Sequence, residues 1–196
     1  MTQIGIGIIG GGYMGKAHAV AMSSVGAVFD TALRPRLEMV CANSTASAEK
    51  YRAAYGFARG TDSWETLVRD EKVEAIVIAS PQTTHRAIAE LAFSLGKPVF
   101  CEKPLGASLE DSRAMVAAAK GHVSMTGFNY IRTPASQFAR SLVADGAIGN
   151  VTWFRGEHTE DFYAAPSQPS SWRTSGAANG TTRELAPHTV NGALAL

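Results

Sequence analysis

Gly10-Gly11-Gly12-Tyr13-Met14-Gly15 is the stretch that decides the fold. Residues 4–9, directly before it, are a short apolar run broken only by glycine, and the residues after it place Met14, Ala17, Ala21 and Val25 at helical spacing. Strand, tight turn and helix thus follow one another, the context in which G-x-G-x-x-G carries structural meaning. There Gly10 makes the tight turn, Gly12 lets the backbone approach a pyrophosphate, and Gly15 lets the helix pack closely on the strand. The free N–H groups at the helix start face the phosphates. Tyr13 and Met14, inside the turn, are counted with it as candidate cofactor contacts.

Working outward, residues 37–42 read as the second strand, and 46–55 as a helix stopped by Gly56 in the position that favours a left-handed cap. Asp62 with Glu65 three residues on resembles a capping box for a short helix through Val68. Residues 75–79 are a near-continuous apolar run of the kind buried on both faces of a parallel sheet, followed by a helix over about 84–95 that Gly96 ends. Residues 99–101 make another strand. Ser108 with Asp111 caps a helix through Lys120, Gly121 ends it, and 123–126 add a further strand.

This alternation predicts an α/β fold, a Rossmann-type doubly wound parallel sheet, over residues 1–128. Thr133-Pro134 then opens a helix to about Ala144, and Asp145-Gly146 and Gly149-Asn150 turn the chain. Residues 151–160 are strand-like, with Val151, Trp153 and Phe154 among polar neighbours. Residues 129–196 are accordingly expected to begin an α+β domain with a mainly antiparallel sheet.

Of the 196 residues 45% are hydrophobic and 18% charged, which excludes a disordered chain. The formal net charge is +1 and the basic residues are scattered, so neither nucleic acid nor an anionic membrane is an expected partner. Cys41 and Cys101 each fall near a strand end and suit small buried hydrophobes rather than a disulfide framework. Met1-Thr2-Gln3 carries no basic leader and the first apolar run is broken by Gly5, Gly7 and Gly10, so the expected compartment is the cytoplasm. No metal is expected.

Chemistry enters at Cys101-Glu102-Lys103-Pro104, which ends an apolar run. A lysine beside a carboxylate, where a strand gives way to a loop at a dinucleotide site, can hydrogen-bond a substrate hydroxyl while a nicotinamide ring accepts or donates hydride. That combination reads as a dehydrogenase. At the end of the second strand, where dinucleotide folds commonly place an acidic residue on the ribose, stand Asn43 and Ser44. They can bind a ribose without repelling a 2′-phosphate, and no arginine follows to attract one, so NAD and NADP both remain open.

With these residues in hand the chain resembles the family of glucose-fructose oxidoreductase, inositol dehydrogenase and MocA-like proteins, nicotinamide-dependent oxidoreductases acting mostly on sugars and polyols. The resemblance spans nearly the whole chain. It is carried by the glycine turn, Ser80-Pro81-Gln82-Thr83-Thr84-His85, residues 96–104 with Glu102-Lys103-Pro104, Gly127-Phe128-Asn129, Gly146-Ala147-Ile148-Gly149 and Glu184-Leu185-Ala186-Pro187-His188. It implies that Lys103 is the catalytic lysine, that Glu102 sits near the nicotinamide ribose, and that Ser80, Pro81 and His85 line the cofactor cleft. His188 matches the histidine that takes the substrate hydroxyl proton, a task suited to imidazole. Asn129, Trp172 and Arg173 fall on the substrate side, and a homo-oligomer is implied for the full-length form.

Two departures qualify the match. Glu184 stands where the family usually has aspartate, one methylene longer, and a displacement of about an ångström at a reacting centre can cost roughly a hundredfold in rate. The chain also ends at Leu196 within an apolar stretch where members of the family continue. A fragment, a truncated product, or a chain whose apolar surface another chain covers is expected. The principal expectation is hydride transfer between NAD(P) and a sugar or polyol carbon, and its rival is a cofactor-binding but inactive family member.

Overall fold

A computed structural model describes residues 1–161, 164–167, 169–171, 173–176 and 179–196. It divides into two compact units, Met1–Thr126 and Gly127–Leu196.

The first unit alternates strand and helix: β1 (Thr2–Ile9), α1 (Tyr13–Val28), β2 (Leu33–Cys41), α2 (Thr45–Tyr55), β3 (Arg59–Thr61), α3 (Trp64–Arg69), β4 (Ala75–Ile78), α4 (His85–Ser94), β5 (Val99–Cys101), α5 (Leu109–Ala118) and β6 (Ser124–Thr126). The six strands form one sheet in the order β3-β2-β1-β4-β5-β6, every pairing parallel. This is the Rossmann order, and it reverses direction between β1 and β4. Side-chain alternation sends Ile76 and Ile78 to a core with α3, α4 and α5, and Val77 to a second core with Ile6, Ile8, Val40 and Ala19 of α1. The sheet is thus covered on both faces, as its apolar strands require.

Several boundaries differ from those the sequence predicts. β2 begins at Leu33, four residues early, and runs through Pro35. The proline is tolerated because β3 pairs only with Met39, Val40 and Cys41, leaving β2 an edge strand at that point. β3 is a strand the sequence pattern does not mark, since Arg59-Gly60-Thr61 has no apolar alternation. The cap of α3 is Ser63, whose hydroxyl accepts from Thr66 N–H, not Asp62. In the second unit α6 (Pro134–Ala144) starts as expected, with Thr133 as cap, and is followed by α7 (Thr181–Glu184) and α8 (Ala186–Ala195). Residues 151–160 form no strand. Among the described residues of this unit there is no second strand to complete a ladder, and a strand needs one to satisfy its backbone groups. No helix among the described residues is long and apolar enough to cross a membrane.

Candidate functional site

Gly10 leaves β1 with φ +101°, a left-handed conformation open to glycine, and its N–H donates to Cys41 O at 2.9 Å. A Cβ on Gly15 would overlap the Gly10 carbonyl oxygen, so the third glycine is required for helix and strand to approach. Gly12 differs. A Cβ there would meet nothing within 4 Å, and α1 begins at this point with no side-chain cap and no acidic residue in its first turn. Its first N–H groups therefore have no capping side chain and lie at the positive end of the helix dipole, beside exposed Tyr13. These features fit a dinucleotide pyrophosphate. Tyr55 closes the other side of the turn, its hydroxyl donating to Gly11 O at 3.0 Å.

At the end of β2 Asn43 is exposed, while the Ser44 hydroxyl is occupied as the cap of α2, accepting from Ser47 N–H at 3.2 Å. The acidic group the sequence lacks at this point arrives from the neighbouring strand. Ala42 N–H donates to Thr61 O, and Asp62, one residue on, accepts from the Thr45 hydroxyl at 2.5 Å. The Cys41 thiol is pushed up to about 11 by burial and, after that, by the negative charges of Asp62 and Glu65.

At the end of β4 the Ser80 and Thr84 hydroxyls lie 2.6 Å apart, and Thr84 also donates to Pro81 O at 2.8 Å. His85, expected to line the cleft, is 1% exposed. Its Nε2 lies 2.9 Å from Ser80 O, and its Nδ1 lies 3.1 Å from Leu105 O and 3.2 Å from Pro104 O. The Cys101 thiol, raised well above its ordinary value by burial and then by Glu102, packs against the same ring at 3.3 Å. His85 thereby fastens the loops after β4 and β5 together.

β5 delivers Glu102 and Lys103. Glu102 is 7% exposed; its Oε1 lies 2.8 Å from His18 Nε2 of α1, and its Oε2 accepts from Lys103 N–H at 3.3 Å. Lys103 is half-buried and joined to Pro104 by a cis peptide bond. His18 is absent from the sequence-derived site, although its position three residues after Gly15, on the side of α1 that carries buried Gly15 and Ala19, was a usable signal.

In the second unit His188 lies on α8, in an aromatic cluster. It stacks on His158 with ring centroids 5.2 Å apart, and Tyr130 meets it edge-on at 4.6 Å. Phe128 lies 6.4 Å away. Neither Tyr130 nor His158 figures in the sequence-derived site. Arg173 faces Glu184, its Nε 3.7 Å from Oε2, so the lengthened carboxylate has a cation beside it. Asn129 is exposed before a 3-10 turn, Tyr130–Arg132. Trp172 lies outside the described residues.

A family model described as an oxidoreductase family with an NAD-binding Rossmann fold matches residues 4–130. The chain belongs to the Gfo/Idh/MocA oxidoreductase family. Levoglucosan dehydrogenase of Pseudarthrobacter phenanthrenivorans is 38% identical over 97% of this chain and 50% of its own length. Inositol 2-dehydrogenase of Rhizobium meliloti is 34% identical over 74% of this chain and 42% of its own. A solved levoglucosan dehydrogenase in complex with NADH superposes with a TM-score of 0.95 at 35% identity, covering all of this chain and 54% of that one. A further solved complex of that enzyme contains NADH and levoglucosan, again at TM-score 0.95, with 34% identity. This Gfo/Idh/MocA chain spans about half the length of the curated relatives it matches.

Proposed function

We propose that this chain is the NAD(H)-binding half, with part of the substrate half, of an oxidoreductase acting on a sugar or polyol hydroxyl or carbonyl carbon. The observation that carries the reading is the pairing of an uncapped helix start at Gly12 with Glu102-Lys103 at the carboxyl end of β5. The first follows β1 and the second follows β5, the strand beyond β4, so they stand on either side of the β1/β4 reversal, where open α/β sheets bind dinucleotides.

A bound nicotinamide dinucleotide supplies the hydride acceptor or donor. The first N–H groups of α1 hold the pyrophosphate, with Tyr13 and Met14 beside it, and Asn43 and Ser44 meet the adenosine ribose. Ser80 and Pro81 border the nicotinamide half, with His85 acting through the loops it fastens. Glu102 approaches the nicotinamide ribose and Lys103 polarises the reacting oxygen with its ammonium. His188 takes or returns the hydroxyl proton, Glu184 orients that histidine, and Asn129, Trp172 and Arg173 contribute to substrate binding. The relatives named for levoglucosan and inositol support a sugar or polyol as substrate.

The test is NADH titration together with turnover on a panel of sugars and polyols. Lys103→Ala and His188→Ala are each expected to lower turnover by roughly two to four orders of magnitude with cofactor affinity little changed. Near-normal turnover removes the residue concerned from the mechanism. The contact between Arg173 and Glu184 favours a second reading, binding without turnover, because it draws the longer carboxylate toward a cation. Saturable NADH binding with no sugar or polyol oxidised assigns that reading.

A further inference from the structure

His18 has no role in the glycine turn and none in the assigned chemistry, yet it occupies a constrained place. β5 alternates: Val99 and Cys101 point into the core beneath α4 and α5, while Phe100 packs with the core beneath α1. Glu102 follows on the Phe100 side, and there the His18 ring meets both. Its centroid lies 4.8 Å from that of Phe100 in an edge-on arrangement, and its Nε2 lies 2.8 Å from Glu102 Oε1. The two polar side chains are 13% and 9% exposed. The other carboxylate oxygen accepts from Lys103 N–H, and the Glu102 N–H donates to Ile78 O at 2.9 Å. The carboxylate is thus held at one oxygen by α1 and at the other by the residue beside it. Packing alone does not call for this arrangement, since a leucine would cover Phe100 as well, whereas only a hydrogen-bond donor satisfies a nearly buried carboxylate.

We propose that His18 is a positioning residue for the nicotinamide half of the cofactor site. It joins the helix whose first turn faces the pyrophosphate to the loop that presents Glu102 and Lys103. The inference rests on the cofactor reading above. Without the His18 donor the Glu102 carboxylate turns toward water and gives up its bond to Lys103 N–H, loosening the loop while leaving the Gly12 end of the site intact. The pyrophosphate contacts then hold the dinucleotide with little change, but its nicotinamide end is no longer ordered.

NADH titration followed by nicotinamide emission separates the two ends, because the midpoint reports affinity and the emission at saturation reports how the nicotinamide is held. His18→Leu is expected to change the dissociation constant by no more than about threefold and to lose about half or more of the emission enhancement at saturation. His18→Gln, whose amide N–H replaces Nε2–H, restores the enhancement. Glu102→Leu, which removes the acceptor from both His18 and Lys103 N–H, gives the same loss, and His18→Leu adds nothing to it, because the two side chains act as one unit. Saturable binding with equal emission in the unaltered chain and in His18→Leu overturns the inference and leaves the cofactor reading standing. Failure of the unaltered chain to bind NADH saturably overturns both.

Discussion

A methyl group placed on Gly12 meets no atom within 4 Å, whereas one placed on Gly15 runs into the Gly10 carbonyl oxygen, so two glycines of one motif carry different burdens. Gly12→Val should leave the melting temperature nearly unchanged while lowering NADH affinity by about tenfold or more, since its side chain occupies space the phosphates need. Gly15→Ala should instead cost stability, by roughly 1–3 kcal/mol for a forced overlap. Calorimetric titration and thermal melts of the pair decide the matter; a Gly12→Val chain that binds NADH normally removes the assigned pyrophosphate seat. His85 follows the same logic at a buried polar position. Removing its ring takes away the N–H that one tautomer donates to Ser80 O and the other to Leu105 O, and opens a void beside Cys101, so His85→Ala should destabilise by about 2–4 kcal/mol. Denaturant unfolding measures this, and a loss smaller than about 0.5 kcal/mol shows that the ring does not fasten the two loops.

Short β3 determines two charge arrangements because of where it pairs. Its last residue lies against Cys41, which carries Asp62 to the end of β2, where dinucleotide folds place the carboxylate that binds ribose hydroxyls. That charge repels a 2′-phosphate, so NADH should bind in preference to NADPH, and Asp62→Asn should shrink the preference by roughly threefold to tenfold, less at high salt. Dissociation constants for both cofactors in both chains test it; an unchanged ratio sinks the assignment. At its first residue β3 sends Arg59 to Asp70 and to buried Glu38, the extra residue of β2 where its register with β1 shifts between Ile6 and Gly7. The Arg59 hydrogen bond, strongest among the causes, lowers Asp70 from an ordinary carboxylate value to about 2. The stabilisation this gives is complete above the unfolded pKa near 4 and is lost as pH falls from about 4 to about 2. Asp70→Asn should remove on the order of 1–2 kcal/mol of stability at pH 7 but much less at pH 2. Equal losses at both pH values in urea unfolding would falsify the pairing. None of this was legible in Arg59-Gly60-Thr61, which has no apolar alternation of its own and is a strand by its pairing with Met39, Val40 and Cys41 of β2. By contrast β1, the glycine turn and α1 were legible because their signals are local. His18 was missed for the opposite reason: its partner Glu102 lies 84 residues away.

The first unit contains the whole six-stranded sheet, both apolar cores and every residue assigned to the cofactor, while Asn129, Arg173, Glu184 and His188 belong to the second. A layer architecture with its own covered sheet has what it needs to fold alone. The second unit, among its described residues, has helices and extended chain but no sheet, and several large apolar side chains on it are exposed, Trp153 and Phe138 among them. Binding and chemistry should therefore separate along the chain. Residues 1–128 expressed alone should unfold cooperatively and bind NADH within about threefold of the affinity of the 196-residue chain. The same piece should oxidise no sugar or polyol, since it lacks the imidazole assigned to the substrate proton. Loss of NADH binding from a folded 1–128 piece would show that the second unit contributes to the cofactor site. Sugar oxidation by that piece would remove His188 from the mechanism and leave Lys103 as the group that manages the proton.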